Sequence, residues 1–195
     1  DSHINPVQGF FRPKVKNKLK LQRILKRDFG ISDYKRNPAI MKWVNIFSKT
    51  SRRSTATLFW RSRYYRTPLQ EILVRKGVPR YFYVLPWVES GFNLRASSSM
   101  GAKGLWQFMR PTGRSHGLLI NKWIDERRDP IRSTIASAKY LRKLYKAFGS
   151  WTLALAAYNV GWGRLNSLIK EGKTSDYWKI RKLASCPYET KWYVP

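Results

Sequence analysis

The chain has few of the residues that build disulfides and metal sites. Among its 195 residues there is one cysteine, Cys186, and there are two histidines, His3 and His116. A single cysteine cannot form an internal disulfide, and neither histidine has a second ligand at helical spacing. The sequence therefore predicts a fold without internal disulfides and a function that does not rest on a metal ion.

Acidic residues are also scarce. The chain has 39 Lys and Arg against 11 Asp and Glu, which gives a formal net charge of +28. A surface of this charge favours polyanions such as nucleic acid, anionic lipid or the bacterial wall, and the charge does not choose among them. Because 43% of the residues are apolar and nine are tryptophan, we expect a packed globule rather than a disordered basic tail.

Long apolar runs are missing as well. No run approaches the length of a membrane span, and the first residues carry charges where a signal peptide needs its apolar segment. We expect any export signal or lipid anchor to have been removed before residue 1. A length of 195 residues suits one domain with a single core.

Apolar residues recur at three- and four-residue steps along most of the chain, which predicts a mainly α fold. Three pairs of residues are typical helix starts: Asn37-Pro38, Asp129-Pro130 and Ser150-Trp151. The stripe after Asn37 includes Val44, and the helix that begins at Pro130 should end at Gly149.

Two further segments carry helix signals. Thr67 is predicted to cap a helix that continues through Pro68 and a capping-box glutamine, Gln70, and that ends at Gly77. Residues 14–29 form a basic amphipathic stretch. A helix packed on the core with a solvated basic face is the preferred interpretation there, ahead of a dedicated wall or membrane anchor.

One carboxylate stands out by its surroundings. Glu89 follows the apolar residues 83–88 and precedes a loop of small residues. A carboxyl group that loses solvation has a raised pKa, which suits it to donate a proton near neutral pH. Taken alone, such a glutamate is more often a helix-end cap or a member of a surface ion pair, so the neighbouring motifs decide between these interpretations.

Those motifs follow Glu89-Ser90 in a fixed order. They are Ser98, Gly101-Ala102-Lys103-Gly104, Leu105-Trp106-Gln107 and, later, Ala157-Tyr158-Asn159. Their order and spacing resemble the soluble lytic transglycosylase family, and several separated motifs are more specific than any one of them. Further similarity runs through residues 111–114, 127–129 and 189–195, whereas Leu94 stands where the family usually has proline.

The resemblance implies a fold and a domain division. The fold is the lysozyme-like α+β fold in its nearly all-helical form, which is mainly α, as a single globular catalytic domain. This domain would cover residues 52–195. Residues 1–51 would form a basic helical N-terminal extension.

The resemblance also implies an activity. Such a domain cleaves the β-1,4 bond between N-acetylmuramic acid and N-acetylglucosamine in peptidoglycan, with Glu89 as its single acid and base. No second carboxylate lies within the core motif, and family members do without one. There the substrate's acetamido oxygen is thought to cover the cationic centre, and the C6 hydroxyl closes a 1,6-anhydro ring.

Two residues of the later motifs take implied roles around Glu89. Tyr158 is a predicted catalytic residue whose phenol can hydrogen-bond Glu89 or face the developing cation, although tyrosines on apolar helix faces are usually core residues. Asn159 is a predicted substrate-binding residue that can also hold the backbone nearby. Glu189 is expected near the peptide-binding end of the cleft, and a surface salt bridge is the alternative.

The loop supplies the other predicted substrate-binding residues. Ser98 can hydrogen-bond an acetamido or lactyl group, or it can simply form a turn. Gln107 offers two donors and one acceptor to a sugar, or it caps backbone groups. Met109 matches a position that lines the cleft, and it can equally fill the core.

We therefore expect a monomeric, cofactor-free enzyme that acts on peptidoglycan glycan strands. Its place would be the bacterial periplasm or the outer membrane, or it would be secreted. The basic face, above all residues 12–27, would dock on an anionic wall or membrane surface. We expect no specific nucleic-acid partner, because no nucleic-acid-binding motif is present.

Three alternatives remain open at this level. A goose-type lysozyme would share the fold and the single prominent glutamate, and only its hydrolytic product would differ. A non-catalytic module would use the charge and the aromatic residues to bind wall or nucleic acid. A phage or secretion-machine structural protein could also contain such a domain.

Overall fold

The computed structural model describes residues 15–194, with side chains from residue 21 onward. Within this range the protein is helical, and the only β-type pairs are three isolated bridges. The mainly α fold is thus confirmed. The helices are α1 (Val15–Phe29), α2 (Pro38–Asn45), α3 (Arg52–Ser62), α4 (Arg66–Arg75), α5 (Leu85–Ser90), α6 (Arg110–Ser115), α7 (Pro130–Phe148), α8 (Trp151–Val160), α9 (Trp162–Gly172), α10 (Tyr177–Ile180) and α11 (Tyr188–Tyr193).

Shorter turns connect some of these helices. Tyr34–Arg36, Arg80–Val84 and Glu126–Arg128 are 3-10 turns, and Ile46–Thr50 is a π-helical turn. No helix of the described range is both long and apolar enough to cross a bilayer.

Side-chain caps define the starts of α2 and α7, as predicted. Asn37 Oδ1 accepts hydrogen bonds from the backbone N–H groups of Ala39 and Ile40. Asp129 Oδ1 does the same at the start of α7, and Gly149 ends that helix with a φ of 68°. These bonds satisfy donors that the first helical turn leaves without an internal partner.

Two local predictions, for Thr67 and Val44, were wrong, and the prediction for Ser150 is confirmed for the helix start but not for a side-chain cap. Helix α4 begins at Arg66, because the backbone N–H of Leu69 already bonds the carbonyl of Tyr65, so Thr67 lies inside the first turn. A proline such as Pro68 fits any position there, since none of the first N–H groups has an internal partner.

Ser150 does precede α8, but its hydroxyl bonds that of Thr152. Val44 is 39% exposed and leaves the apolar stripe of α2.

Helix α8 lies at the centre of the core. Every side chain from Trp151 to Ala157 is buried, which is typical of a helix surrounded by protein on all sides. Helices α7 and α9 pack on it, and α1, α10 and α11 also reach it. The segment that carries Tyr158 and Asn159 therefore stands on the most enclosed element of the fold.

Helix α1 covers residues of the predicted basic stretch, and its end is attached to the core. Asp28 accepts a hydrogen bond from Tyr81, and the carbonyl of Phe29 accepts one from the indole of Trp178. This agrees with a packed helix. Residues 12–14 of the predicted docking segment, and the side chains up to residue 20, lie outside the described part, and the boundary at residues 51 and 52 stays a prediction.

A buried arginine holds the loop between residues 96 and 109. Arg127 is 1% exposed and donates through Nη1 to the carbonyls of Gly101, at 2.9 Å, and Phe108, at 3.1 Å. Its Nε and Nη2 bind both oxygens of Asp125 at 2.8 and 2.7 Å. The pKa of Asp125 is lowered, chiefly by this hydrogen bonding, which favours its ionised form. The loop is thereby fixed at two points.

The same arginine approaches the loop at Gly104. A Cβ on Gly104 would lie 1.7 Å from the carbonyl oxygen of Arg127, and the residue has a φ of 77°. Both the space and the backbone conformation therefore require glycine. Gly101 differs, because its φ is 86° but a Cβ there would meet nothing within 4 Å.

We predict that Gly104→Ala lowers the free energy of unfolding by ~3 kcal/mol or more, since it adds a backbone clash to conformational strain. The matched control, Gly101→Ala, has the strain alone and should cost ~1 to 2 kcal/mol. Urea unfolding of both variants measures the difference. Equal losses would mean that the contact between Gly104 and Arg127 does not constrain the loop.

Candidate active site

Glu89 lies one residue before the end of helix α5. The helix ends because Gly91 adopts a left-handed conformation, with a φ of 59°, and the N–H of Phe92 then bonds back to the carbonyl of Pro86 at 2.9 Å. Arg61 of α3 donates to the carbonyl of Gly91 at 2.9 Å. The turn after Glu89 is therefore held from outside by Arg61.

Ser90 joins the glutamate to the loop. Its hydroxyl lies 3.1 Å from the carbonyl of Pro86 in its own helix and 2.9 Å from the carbonyl of Leu105 in the loop. Its oxygen is also within 3.3 Å of the N–H of Asn93. The serine of the Glu-Ser pair thus fixes the distance between the acid and the loop.

Tyr193 is the hydrogen-bond partner of Glu89. Its hydroxyl donates to Glu89 Oε1 from the last residue of helix α11. That helix is held in place because Thr190 Oγ1 donates to Asn159 Oδ1 at 2.7 Å and Tyr177 donates to the carbonyl of Thr190 at 2.9 Å. Two residues that are 104 positions apart in sequence thereby meet.

The environment of Glu89 changes its acidity. Burial raises the pKa of Glu89 to about 7, although the hydrogen bond from Tyr193 acts in the opposite direction. Tyr193, whose hydroxyl bonds Glu89, also lines an apolar cavity of about 420 Å³ together with Trp87 and Val88. Loss of water therefore outweighs the stabilising donor, and near neutral pH the carboxyl group exists in both protonation states.

Tyr158 lies close to Glu89 without bonding it. Its hydroxyl donates to the carbonyl of Trp106 at 2.9 Å, and Ser137 Oγ is 3.4 Å away. Burial, followed by the negative charge of Glu89, raises the pKa of Tyr158 well above its usual value. Of the two roles expected for Tyr158, the hydrogen bond to Glu89 is not formed, because the single phenolic proton is used to hold the loop. The second role, facing the developing cation, stays a prediction.

The base of the loop is fixed by Trp106. This residue is fully buried, and its indole N–H donates to Thr134 Oγ1 at 2.8 Å. The loop turns between Gly104 and Met109, with Trp106 buried in the core and Gln107 partly exposed.

The predicted binding residues of the loop also shape it. Ser98 is exposed, and its Oγ accepts a hydrogen bond from the N–H of Ala102 at 3.0 Å. Gln107 has a φ of 47°, and its Nε2 donates to the carbonyl of Gly104 at 2.8 Å. The hydroxyl proton of Ser98 and the side-chain oxygen of Gln107 have no part in these bonds. Met109 is 40% exposed at the start of α6, so it does not fill the core.

Of the two remaining predicted binding residues, one contacts α11 and the other belongs to it. Asn159 uses its side-chain oxygen to hold Thr190, as described above. Glu189 is exposed in the first turn of α11 and makes no ion pair within the described chain. The described residues also contain no group of three or more metal-ligating side chains.

Two residues of the site were not singled out from the sequence. Tyr193 lies in the segment 189–195, whose match to the family was noted, but nothing local places it on Glu89. Arg127 belongs to the matched residues 127–129, and a charged side chain gives no sign of burial by itself. The only sign of either residue in the sequence was that its segment resembles the family.

Comparisons with known proteins agree with the family resemblance of the sequence. The family model described as "Transglycosylase SLT domain" matches residues 69–181, more than half of the chain. The membrane-bound lytic murein transglycosylase D of Escherichia coli (strain K12) is 40% identical over 126 residues, which cover 62% of this chain and 27% of that protein. A putative tributyltin chloride resistance protein of Alteromonas sp. (strain M-1) is 37% identical over 100 residues, which cover 51% and 48%.

A solved structure is also similar. The 70 kDa soluble lytic transglycosylase of Escherichia coli superimposes with a TM-score of 0.58 at 25% identity, covering 67% of this chain and 22% of that one. The chain thus spans about a quarter of the length of the transglycosylases it matches, 27% and 22% in these two cases.

We predict that Glu89→Gln stabilises the folded protein at alkaline pH. The folded-state pKa is about 7, above the ordinary 4.5, so the ionised group destabilises the fold increasingly from about pH 4.5 to pH 7 and by a constant amount above that. Glutamine removes this cost, which is ~3 kcal/mol at pH 8 and absent at pH 4.

Urea unfolding at both pH values measures the effect. Glu189→Gln, which removes an exposed carboxylate, is the matched control and should change stability by a similar small amount at each pH. A Glu89→Gln stability difference that does not grow between pH 4 and pH 8 would contradict the buried environment of Glu89.

Proposed function

Because the chain belongs to the transglycosylase SLT domain family, we propose that it is a lytic transglycosylase that cleaves peptidoglycan between N-acetylmuramic acid and N-acetylglucosamine. The observation that carries the proposal is the buried carboxyl group of Glu89, with its pKa raised to about 7 and its hydrogen bond from Tyr193. Such a group can give up a proton and take one back at the same pH.

The first step is protonation of the glycosidic oxygen by Glu89. As the bond breaks, the sugar that leaves keeps this proton, and positive charge grows at the anomeric carbon of the muramic acid residue. Most glycosidases meet this charge with a second carboxylate, which attacks the carbon or activates water. Among the described residues, no carboxylate lies in evident reach of Glu89 for this role.

The other carboxylates of the described chain are engaged elsewhere, with the exception of Glu189. Asp125 binds Arg127, Glu126 accepts from the N–H of Leu119, and Asp129 caps α7. The rest are likewise held in caps, ion pairs or hydrogen bonds, namely Asp28, Asp33, Glu71, Glu171 and Asp176. Glu189 is exposed on the same short helix as Tyr193.

The substrate then supplies the missing groups. Its acetamido oxygen covers the cationic centre, and the C6 hydroxyl afterwards attacks the anomeric carbon while its proton passes to ionised Glu89. A 1,6-anhydro ring closes, no water is consumed, and Glu89 is protonated again for the next cycle. One residue is thus acid in the first half and base in the second.

Two tyrosines support these steps. Tyr193 donates to Glu89 and so steadies the anion that exists between the two proton transfers. Tyr158 acts through the loop, because its hydroxyl holds the carbonyl of Trp106 next to Gln107. Ser98, Gln107 and Met109 would contact the glycan from the loop, while Asn159 would act through α11 and Glu189 would lie towards the peptide stems.

The place of action follows from the substrate. We propose that the domain works in the bacterial envelope, as a monomer and without a cofactor, on glycan strands of the wall. The names of its relatives include the words "membrane-bound", which supports an envelope location. The basic surface would bring the domain to an anionic wall or membrane surface.

We predict that the protein releases muropeptides with 1,6-anhydromuramic ends from purified peptidoglycan. These products lack a reducing end, so they resist borohydride reduction. Their mass is about 18 units lower than that of the hydrolytic products, because ring closure adds no water molecule. Mass spectrometry before and after reduction makes the measurement. Mainly reducible ends would show that water attacks, as in a lysozyme.

Glu89→Gln is the control for this assay. The amide keeps the shape of the side chain but cannot transfer a proton, so turnover should fall by about a hundredfold or more. Retention of a larger share of the wild-type rate would exclude Glu89 as the sole acid and base.

We predict that Tyr193→Phe moves the alkaline limb of the kcat/KM profile to higher pH. The variant removes a donor that favours ionised Glu89, so the pKa of Glu89 rises and the acid stays protonated to higher pH. The height of the profile should fall, because the anion loses its partner. A pH series on soluble glycan tests this, with Tyr188→Phe, at an exposed position of the same helix, as control. An unmoved limb would separate Tyr193 from the acid.

A further inference from the structure

Helix α7 carries cations without any carboxylate. Its 19 residues contain five Lys or Arg and no Asp or Glu. Four of the cations lie in the second half at three- and four-residue steps, which places them along one side of the helix. They are Lys139, Arg142, Lys143 and Lys146.

One cation from outside α7, Lys76, lies next to these four. Lys76 follows the end of α4, and the side chain of Arg142 lies next to Gly77, 3.5 Å from where a Cβ would be. Together the five side chains line a shallow surface cleft of about 380 Å³. We call this surface the cationic face; it consists of Lys76, Lys139, Arg142, Lys143 and Lys146.

No carboxylate neutralises the cationic face. None of its members forms an ion pair within the described chain, and the nearby Glu71 of α4 is paired with Arg75 at 3.5 Å. Like charges three and four residues apart destabilise a helix. The helix dipole favours only Lys146, which lies in the last turn. The other four cations therefore lie together without a carboxylate partner in the described chain, and only Arg142 has a favourable contact, over the ring of Tyr145 at 5.4 Å from its centroid.

The cationic face is also rigidly mounted. On the opposite side of α7, Ala138, Leu141 and Leu144 are completely buried in the core. Earlier in the same helix Thr134 bonds Trp106 of the candidate site. A ligand on the cationic face would thus be held at a fixed position relative to the catalytic loop.

We propose that the cationic face binds the phosphate groups of anionic phospholipids and so docks the domain on a membrane surface. From Lys139 to Lys146 the helix rises ~10 Å, so several headgroup phosphates lying side by side can meet the cations at once. None of the five lining residues is aromatic or an amide, and the neighbouring ring of Tyr145 already lies under Arg142 and stacks on Trp151. The face therefore offers a sugar no free stacking ring and no mixed donor and acceptor. This favours lipid over glycan. The inference does not depend on the catalytic proposal.

Sedimentation with vesicles tests this docking. The whole chain is mixed with vesicles of phosphatidylglycerol and phosphatidylcholine, or of phosphatidylcholine alone, at moderate salt. The test variant carries Lys139→Glu, Arg142→Glu, Lys143→Glu and Lys146→Glu. The control carries Lys49→Glu, Lys170→Glu, Lys179→Glu and Lys182→Glu, at exposed positions that change the net charge equally.

We expect the test variant to lose affinity for the anionic vesicles by about a hundredfold, since each basic residue near such a surface contributes several-fold. The control should lose much less, and cleavage of soluble glycan should be unchanged in both. Circular dichroism checks folding. If the glutamate variant does not fold, the corresponding four-glutamine variant is measured instead, with a smaller loss expected.

Two outcomes would overturn the proposal. Equal losses in the test variant and the control would mean that net charge, rather than this face, drives binding. A test variant that still binds vesicles but no longer sediments with lipid-free peptidoglycan would assign the face to the wall.

Discussion

The loss of water around one carboxyl group, Glu89, is the constraint on which the other contacts of the site depend. An ionised carboxylate is costly to bury, and here the burial is only partly offset by the Tyr193 hydroxyl. Helix α5 must therefore be held in place, because ionised Glu89 would have a lower free energy if it moved into solvent. Ser90 and the turn at Gly91 provide this hold through bonds to the loop and to α3.

A second buried charge shapes the other half of the site, and it is treated differently. Arg127 is completely enclosed but has a carboxylate partner and two carbonyl acceptors, so each nitrogen of its guanidinium group donates at least one hydrogen bond. Removing one partner of such a pair leaves an uncompensated charge, whereas the intact pair specifies one geometry. The charge of Arg127, which is fully paired, thus stabilises the structure, whereas the poorly paired carboxyl group of Glu89 is the proposed acid.

How far the sequence predicts this arrangement depends on the range of each interaction. Local caps such as Asn37 and Asp129 act within four residues, so their helix starts were predictable, and an apolar run beside Glu89 indicated burial. The Tyr193–Glu89 contact joins residues 104 positions apart, and no local pattern encodes it. Tyr158 shows a related difficulty: its motif places it at the site, but only packing decides which acceptor its one proton takes.

Helix α11 has six residues, too few to be stable on its own, and it forms because Asn159 and Tyr177 hold it. The hydroxyl that steadies the acid is therefore in place only after the two distant parts of the chain have packed together. The hydrogen bond to the proposed catalytic acid thus depends on the completed fold of the domain. For the proposed transglycosylase, a chain that has not finished folding would have the acid without its hydrogen-bond partner, so full activity on the wall would come only with the assembled domain.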